Sequence, residues 1–292
     1  MRPQGAVTTA AGVVPFGHLG WGYRDRTEFG ARVGEYLADG MAANQRIQYI
    51  GDGSRETLCA TLVDIGFGEG LRSGRIRVTP AEDTYEFHPG SDAVDADATV
   101  MEQVAATEQA LADGYSGLRA VNDLIEVVRT PEQRNAWAQF ECLIDQRMAV
   151  LPLSALCTYD LTDLGPAAGD CLCLHPLTSE QTVAFRLFAE SGVNFAMAGE
   201  IDAADNNAFL TALQRVWRLQ PPGPLVIEAR SLQFITHRQL RALDDLAHAD
   251  CRDVVLRTGH GVVARLAELL NMTNVQVEAV PAALASWQNC GI

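Results

Sequence analysis

The sequence predicts an α/β protein made of two successive units, each a sheet flanked by helices. Three observations carry that expectation. The chain has 292 residues, more than one ordinary core organises. From about residue 18 to residue 160, short apolar runs alternate with segments whose apolar residues recur at helical spacing, the mark of strands joined by crossover helices. After DLTDLGPAAGD the texture changes, which places a boundary between about 170 and 182, and a second, shorter alternation continues to about residue 280.

The first predicted helix covers DRTEFGARVGEYLADGMAANQ. Asp25 accepts hydrogen bonds from first-turn amides, Glu28 reciprocates as a capping box, and Phe29, Val33, Leu37 and Met41 line one face. The strand RIQYI follows at 46–50, then a helix capped by Ser54 and carrying Leu58, Leu62 and Ile65, then the strand GRIRV at 74–78. A polar stretch with Pro89 and Gly90 leads to a helix near 98–113, with Met101, Val104 and Leu111 as its apolar marks. GLRAV at 117–121 reads as a strand entered through a tight Gly114/Gly117 connection. Pro131 fits the first turn of the next helix because it has no amide to leave unbonded there, and Trp137, Phe140, Ile144 and Met148 give that helix a buried stripe. A strand at LPLSALCTY, 151–159, completes a largely parallel sheet with helices on both faces.

In the second unit TVAFRLFAESGVNFAMAGE reads as two short strands with Ser191 and Gly192 at the turn. The helix in IDAADNNAFLTALQRVWRLQ turns Phe209, Leu213, Val216 and Trp217 to its core. PLVIEA at 224–229 is a short central strand, THRQLRALDDLAHA a helix, DVVLRT at 253–258 a strand and VVARLAELLN at 262–271 a helix. VQVEAV at 275–280 adds a last strand, and LASWQ continues as a terminal helix.

Composition bounds function. Apolar residues make up 48% of the chain, which supports folded cores, and the first sixteen residues are expected to be flexible. With 37 acidic and 22 basic residues the formal charge is -15, a field that repels nucleic acid and anionic membrane and favours protein partners with basic surfaces. No segment has the length and apolarity of a membrane span, and the N-terminus lacks a secretory signal. Seven cysteines form no dense framework and are odd in number, so free thiols in a cytoplasmic protein are expected.

Several motifs invite chemistry. The place of a phosphate loop, before the first helix, holds GHLGWGYRDR, which has glycines but neither the lysine nor the metal-binding hydroxyl that phosphate chemistry needs. That stretch reads as a turn packed by Trp21 and Tyr23, or as an aromatic-lined site for a small ligand with His18 at its mouth. CLCLH at 171–175, taken as a strand, would align Cys171, Cys173 and His175 on one face, with Cys157 a conceivable fourth donor. The Cys-x-Cys interval is too cramped for ordinary structural zinc, so these read as buried thiols, and no metal and no defined cofactor are expected. Ser231, Thr236 and His237 form no GxSxG elbow, which leaves Thr236 as the cap of the following helix. The pairs Asp244/Asp245 and Glu82/Asp83 diverge around helical surfaces and read as solvated.

Two family resemblances follow from words in the chain. HLGWGY, EYLADGMAANQRIQYIGD, GFGEGLRSGRIRVTPAEDTY, ALADGYSGLRAVND and LPLSALCTYD, with HP at 175–176, resemble in order and spacing the MEDS sensory domain over residues 17–176. That resemblance implies a RecA- or KaiC-like, mostly parallel sheet domain that has lost its phosphate loop and senses a small ligand. It places His18, Trp21 and Tyr23 in the family's aromatic opening, Tyr85 at its TY position and Arg119 at its basic position after the central glycine. Where many relatives carry Gly, Glu or Asp, and Met, this chain has Asn122, Asp123 and Leu124.

AMAGEIDAADNNAFLTAL and LVIEARSLQFITHRQLRAL resemble, over roughly residues 180–280, the STAS domain of anti-sigma factor antagonists, within a degenerate STAS-like domain expected at 177–292. The resemblance implies a smaller α/β domain with a mixed sheet, in which Glu200, Asp202, Thr236, His237, Arg238 and Gln239 form the switch and partner surface. Arg238 stands where the family places its phosphoacceptor hydroxyl, and a guanidinium cannot accept a phosphoryl group, so the phosphorylation switch is expected to be absent. The expectation is a nonenzymatic regulator that binds an anti-sigma factor or related protein, with a homodimer open and no contact to nucleic acid. The competing readings are a nucleotide- or small-molecule-binding enzyme on a degenerate RecA-like scaffold and a structural oligomerisation module.

Overall fold

The computed structural model describes residues 3–13 and 16–281 and divides the chain into two units, Met1–Val183 and Ala184–Ile292. The terminal helix expected at LASWQ lies outside the described residues. In the first unit the segment expected to be loose contributes strand β1 (Gly5–Val7). HLGWGY, expected as a turn, is strand β2 (His18–Tyr23), with all six residues buried. Its glycines misled the reading: here they provide close packing inside a strand, not a bend.

Helix α1 (Arg26–Ala42) follows, with the Asp25 carboxylate accepting from the Thr27 and Glu28 amides. Glu28 turns back to the Arg24 amide and the Trp21 indole, so the reciprocal bond of the expected box lands one residue early. Then come β3 (Arg46–Gly51), α2 (Arg55–Asp64) capped by Ser54, the short α3 (Gly68–Arg72), β4 (Ile76–Pro80) and the single turn α4 (Ala81–Thr84). Helix α5 (Ala96–Ala112) corrects the sequence reading. Met101 is 72% exposed and Leu111 is exposed too, while Val100, Thr99, Gln103 and Thr107 face inward. Threonine and glutamine on the buried side hid the true stripe. Strand β5 (Leu118–Asp123) leads to α6 (Pro131–Met148), whose Thr130/Gln133 capping box and Pro131 fix its start, a feature worth roughly 1 kcal/mol.

Strand β6 (Leu153–Asp160) is followed by the short helices α7 (Leu161–Leu164) and α8 (Gly169–Leu172). CLCLH is therefore no strand: the Cys173 amide bonds to the Gly169 carbonyl and two further tight turns carry the chain through His175. The unit ends on β7 (Leu177–Ser179), in the stretch expected to open the second domain. The sheet order is β1-β7-β2-β6-β5-β3-β4, and every pair is parallel. Register sets the two faces. His18, Gly20 and Gly22 pair with Ala155, Cys157 and Tyr159, and Asn122 pairs with Cys157, so these residues share one side of the sheet. Trp137, Phe140, Ile144 and Met148 of α6 pack in the core on that side, whereas Leu19, Trp21, Tyr23 and Val121 join Phe29, Val33 and Leu37 of α1 on the other.

The second unit has β8 (Phe185–Phe188), β9 (Phe195–Ile201), α9 (Asn206–Arg218), β10 (Leu225–Ile235), α10 (His237–Ala249), β11 (Val254–Thr258), α11 (Gly261–Leu269) and β12 (Val275–Ala279). Its sheet runs β12-β11-β10-β9-β8, with β8 antiparallel to β9 and the remaining pairs parallel. The expected short strand at 224–229 extends to Ile235 because register shifts after Glu228 and Leu232 let RSLQFI keep pairing with β9. Gly199 has a φ of +85°, and a side chain there would meet the Ala184 carbonyl, so only glycine fits the pairing of β8 with β9. Phe209, Leu213, Val216 and Trp217 are buried, as their spacing predicts.

Candidate functional site

The start of α1 is where a phosphate loop would deliver its ligand, because free amides and the helix dipole attract an anion there. In this chain that place is filled from within. Asp25 Oδ1 stands 2.9 Å from both the Thr27 and Glu28 amides. Beside it, Arg26 pairs with Asp123 at 3.2 Å, and the Tyr23 hydroxyl donates to Asp123 at 3.4 Å. The protein's own carboxylates thus occupy the positions that phosphates would need.

The unusual chemistry lies deeper, on the α6 side of the sheet. Helix α6 places Glu141 and Asp145 one turn apart on its inward face, both with zero exposure, and His18 at the start of β2 bridges them. His18 Nδ1 is 3.0 Å from Asp145 Oδ1 and its Nε2 is 3.1 Å from Glu141 Oε2. Cys157 Sγ lies 3.6 Å from the same Nε2 and receives a hydrogen bond from Asn122 Nδ2 at 3.3 Å. His175, carried in by the turns after α8, points Nε2 at Glu141 Oε1 from 3.5 Å and holds its Nδ1 3.1 Å from the Cys171 carbonyl. Gly20 makes that possible, since a Cβ on it would stand 2.9 Å from the His175 ring. Tyr159 Oη and Trp137 Nε1 both donate to Glu141 Oε1 at 2.7 Å, completing the carboxylate's surroundings.

Burying so many ionisable groups is costly unless they neutralise one another. For His18 burial works against the charged form, but the hydrogen bonds to Asp145, Cys157 and Glu141 outweigh it and raise the imidazole well above its usual value. Burial alone would push Glu141 up; the imidazoles and the Tyr159 hydroxyl reverse that and hold it at about 2. Burial and the neighbouring His18 charge lower His175 to about 4, and burial with the Glu141 charge pushes the Cys157 thiol up to about 11. The neighbours thus favour the charged form of His18 beside the Glu141 carboxylate, while His175 and Cys157 are held neutral. A narrow cavity of about 10 Å³, room for about one water-sized group, lies against His18, Tyr85, Asn122, Glu141 and Cys157.

The five candidates for ligand binding divide between the faces. His18 and Tyr85 line this cavity, with the Tyr85 hydroxyl donating to Asn122 Oδ1 at 3.0 Å. Trp21 and Tyr23 belong to the opposite core, and Arg119 is fully buried there, stacked 3.7 Å over Tyr36 and bonded to Gln45 at 3.0 Å. Those three do not join His18. Of the thiol set, His175 and Cys157 reach the cluster, whereas Cys171 contributes its backbone carbonyl and the Cys173 thiol donates to the Asp170 carbonyl at 3.8 Å. Sequence reasoning missed Glu141 and Asp145. Their signal was present: both fall in the stripe of Trp137, Phe140, Ile144 and Met148, where an acid has no reason to be unless it has a partner.

In the second unit the switch candidates gather where β9 and β10 end. Thr236 caps α10, accepting from the Arg238 amide at 3.3 Å and donating to the Gln239 side-chain oxygen. Gln239 is buried and its amide reaches the Asp202 carbonyl at 2.9 Å and Asn206 at 3.3 Å. Glu200, Asp202, His237 and Arg238 are exposed.

No helix among the described residues is long and apolar enough to cross a membrane. No curated protein matches the chain. The sequence model of the MEDS family, the methanogen/methylotroph DcmR sensory domain, matches residues 17–176, more than half of the chain and the stretch that supplies every residue of the buried cluster. The chain therefore belongs to the MEDS family of sensory domains.

Proposed function

We propose that this chain is a nonenzymatic signalling regulator whose first unit senses a very small ligand and whose second unit, a STAS-like module, docks on an anti-sigma factor or related protein. The observation that carries the sensing half is the water-sized cavity against His18, Glu141 and Cys157, where polar groups converge inside an otherwise apolar core. A nonenzymatic role is supported by Asp25, whose carboxylate takes the helix-start amides that a nucleotide phosphate would use. The parallel sheet with helices on both faces supports the RecA- or KaiC-like reading of this unit.

The STAS-like reading is supported by one antiparallel pair followed by parallel strands, and by the Thr236-capped helix at the end of β10. Arg238 adds an exposed positive charge in the first turn of α10, which suits an acidic surface on a partner. Co-purification of the full chain from its native cell tests the proposal. A regulatory protein of anti-sigma type is expected, with retention falling about tenfold, equivalent to about 1.4 kcal/mol, in Arg238→Glu. Recovery of no such protein, or steady nucleotide turnover by the pure chain, would overturn it.

A further inference from the structure

His18, Glu141, Cys157 and His175 each present one donor atom, and the four atoms lie within 4.8 Å of one another, all on fully buried side chains. We propose that these residues form a mononuclear site for a borderline-soft divalent transition metal of the zinc class, coordinated by His18 Nε2, His175 Nε2, Cys157 Sγ and Glu141 Oε2. The inference names the ligand class of the cavity assigned above to sensing and rests on that assignment.

Three independent features carry it. The first is spacing. A tetrahedral ion with metal–nitrogen bonds of about 2.0–2.1 Å and a metal–sulfur bond of about 2.3 Å sets its donors roughly 3.3–3.6 Å apart. Here His18 Nε2 is 3.6 Å from Cys157 Sγ and 3.1 Å from Glu141 Oε2, and the sulfur is 3.9 Å from that same oxygen.

The second is the set of outer partners. A histidine that binds metal through one nitrogen holds the other against a carboxylate or a backbone carbonyl, which fixes ring and tautomer. Both rings do so: His18 Nδ1 faces Asp145 at 3.0 Å and His175 Nδ1 faces the Cys171 carbonyl at 3.1 Å, leaving both Nε2 atoms directed inward. Glu141 Oε1 is held by Tyr159 and Trp137, which frees Oε2 for the ion, and Asn122 supports the sulfur. The third is His175 Nε2 itself, a fully buried nitrogen with no hydrogen-bond partner, aimed into the cluster.

The donor set excludes hard cations. Magnesium and calcium take oxygen ligands, whereas two imidazoles, a thiolate and one carboxylate suit zinc or cobalt(II). Coordination needs a bare Nε2 on each imidazole and a thiolate at Cys157, so any proton on those atoms leaves to solvent as the ion enters.

The test uses the full chain with Zn²⁺ and Co²⁺ as probes. One zinc per chain is expected by mass spectrometry of gently purified protein. Cobalt loading is expected to give tetrahedral visible bands and a near-ultraviolet thiolate band that vanishes in Cys157→Ser. Asp145→Asn, which touches no metal, is expected to weaken zinc binding about 10- to 100-fold with the bands retained. Folded wild-type protein that shows no stoichiometric zinc and no cobalt bands overturns the metal site, as does undiminished binding by Cys157→Ser and His175→Gln. The sensing proposal is read separately, by partner retention with and without a chelator. Stoichiometric metal with unchanged retention sinks sensing through this cavity and leaves the metal site standing.

Discussion

The candidate sites of the two units place their charged side chains in opposite ways. In the first, two carboxylates, two imidazoles and a thiol are sealed between α6 and the sheet with no exposure beyond about one percent. In the second, the charges near the strand ends, Glu200, Asp202, His237 and Arg238, face solvent, and the buried polar group among them is the neutral Gln239, fully hydrogen bonded through its amide. A buried charge is over-determined by its partners, so removing one member leaves an uncompensated ion. An exposed charge is screened and free to meet a partner molecule. The first arrangement suits a site that recognises something very small by coordination, the second a surface that recognises something large by field and shape.

That contrast makes graded predictions. Glu141→Ala leaves the buried Tyr159 hydroxyl, Trp137 indole and His18 Nε2 without their shared acceptor and is expected to lower unfolding free energy by about 3–5 kcal/mol in denaturant titration; a loss under about 1 kcal/mol would erase the distinction between the units. Zinc at about a hundred times its dissociation constant is expected to stabilise the chain by about 2.7 kcal/mol, seen as a raised melting midpoint that chelator reverses. Thr236→Ala removes the α10 cap and is expected to cost about 1 kcal/mol, measured the same way, because the Arg238 amide loses its acceptor. Arg238→Ala comes last. It is expected to stay within about 0.5 kcal/mol of wild type in stability while weakening partner binding, and phosphate mapping after incubation with STAS kinases is expected to leave residue 238 unmodified.

The fold was legible where a pattern had one cause. The helix bearing Phe209, Leu213, Val216 and Trp217 and the Pro131 start of α6 follow from spacing and capping alone. It was illegible where side chains served packing between elements. Gly20 and Gly22 look like turn residues and instead admit His175 and Leu161 against a strand. Thr99, Gln103 and Thr107 look solvated and instead form the inner face of α5, with Met101 outside. The four residues of the buried cluster could not be found as a motif because each comes from a different element, β2, α6, β6 and the turns after α8, with none of the short Cys and His intervals that mark zinc modules. His18 was visible as a candidate; what it touches was not, since only the register of β2 against β6 brings Cys157 beneath it.

His18 stands near the start of the first unit and His175 near its end, so almost the whole domain must emerge from the ribosome before both imidazoles can meet Glu141. A nascent chain that stops short of residue 175 lacks the ring that packs on Gly20 and the second imidazole beside Glu141. The cluster is therefore assembled only once nearly the whole domain is present.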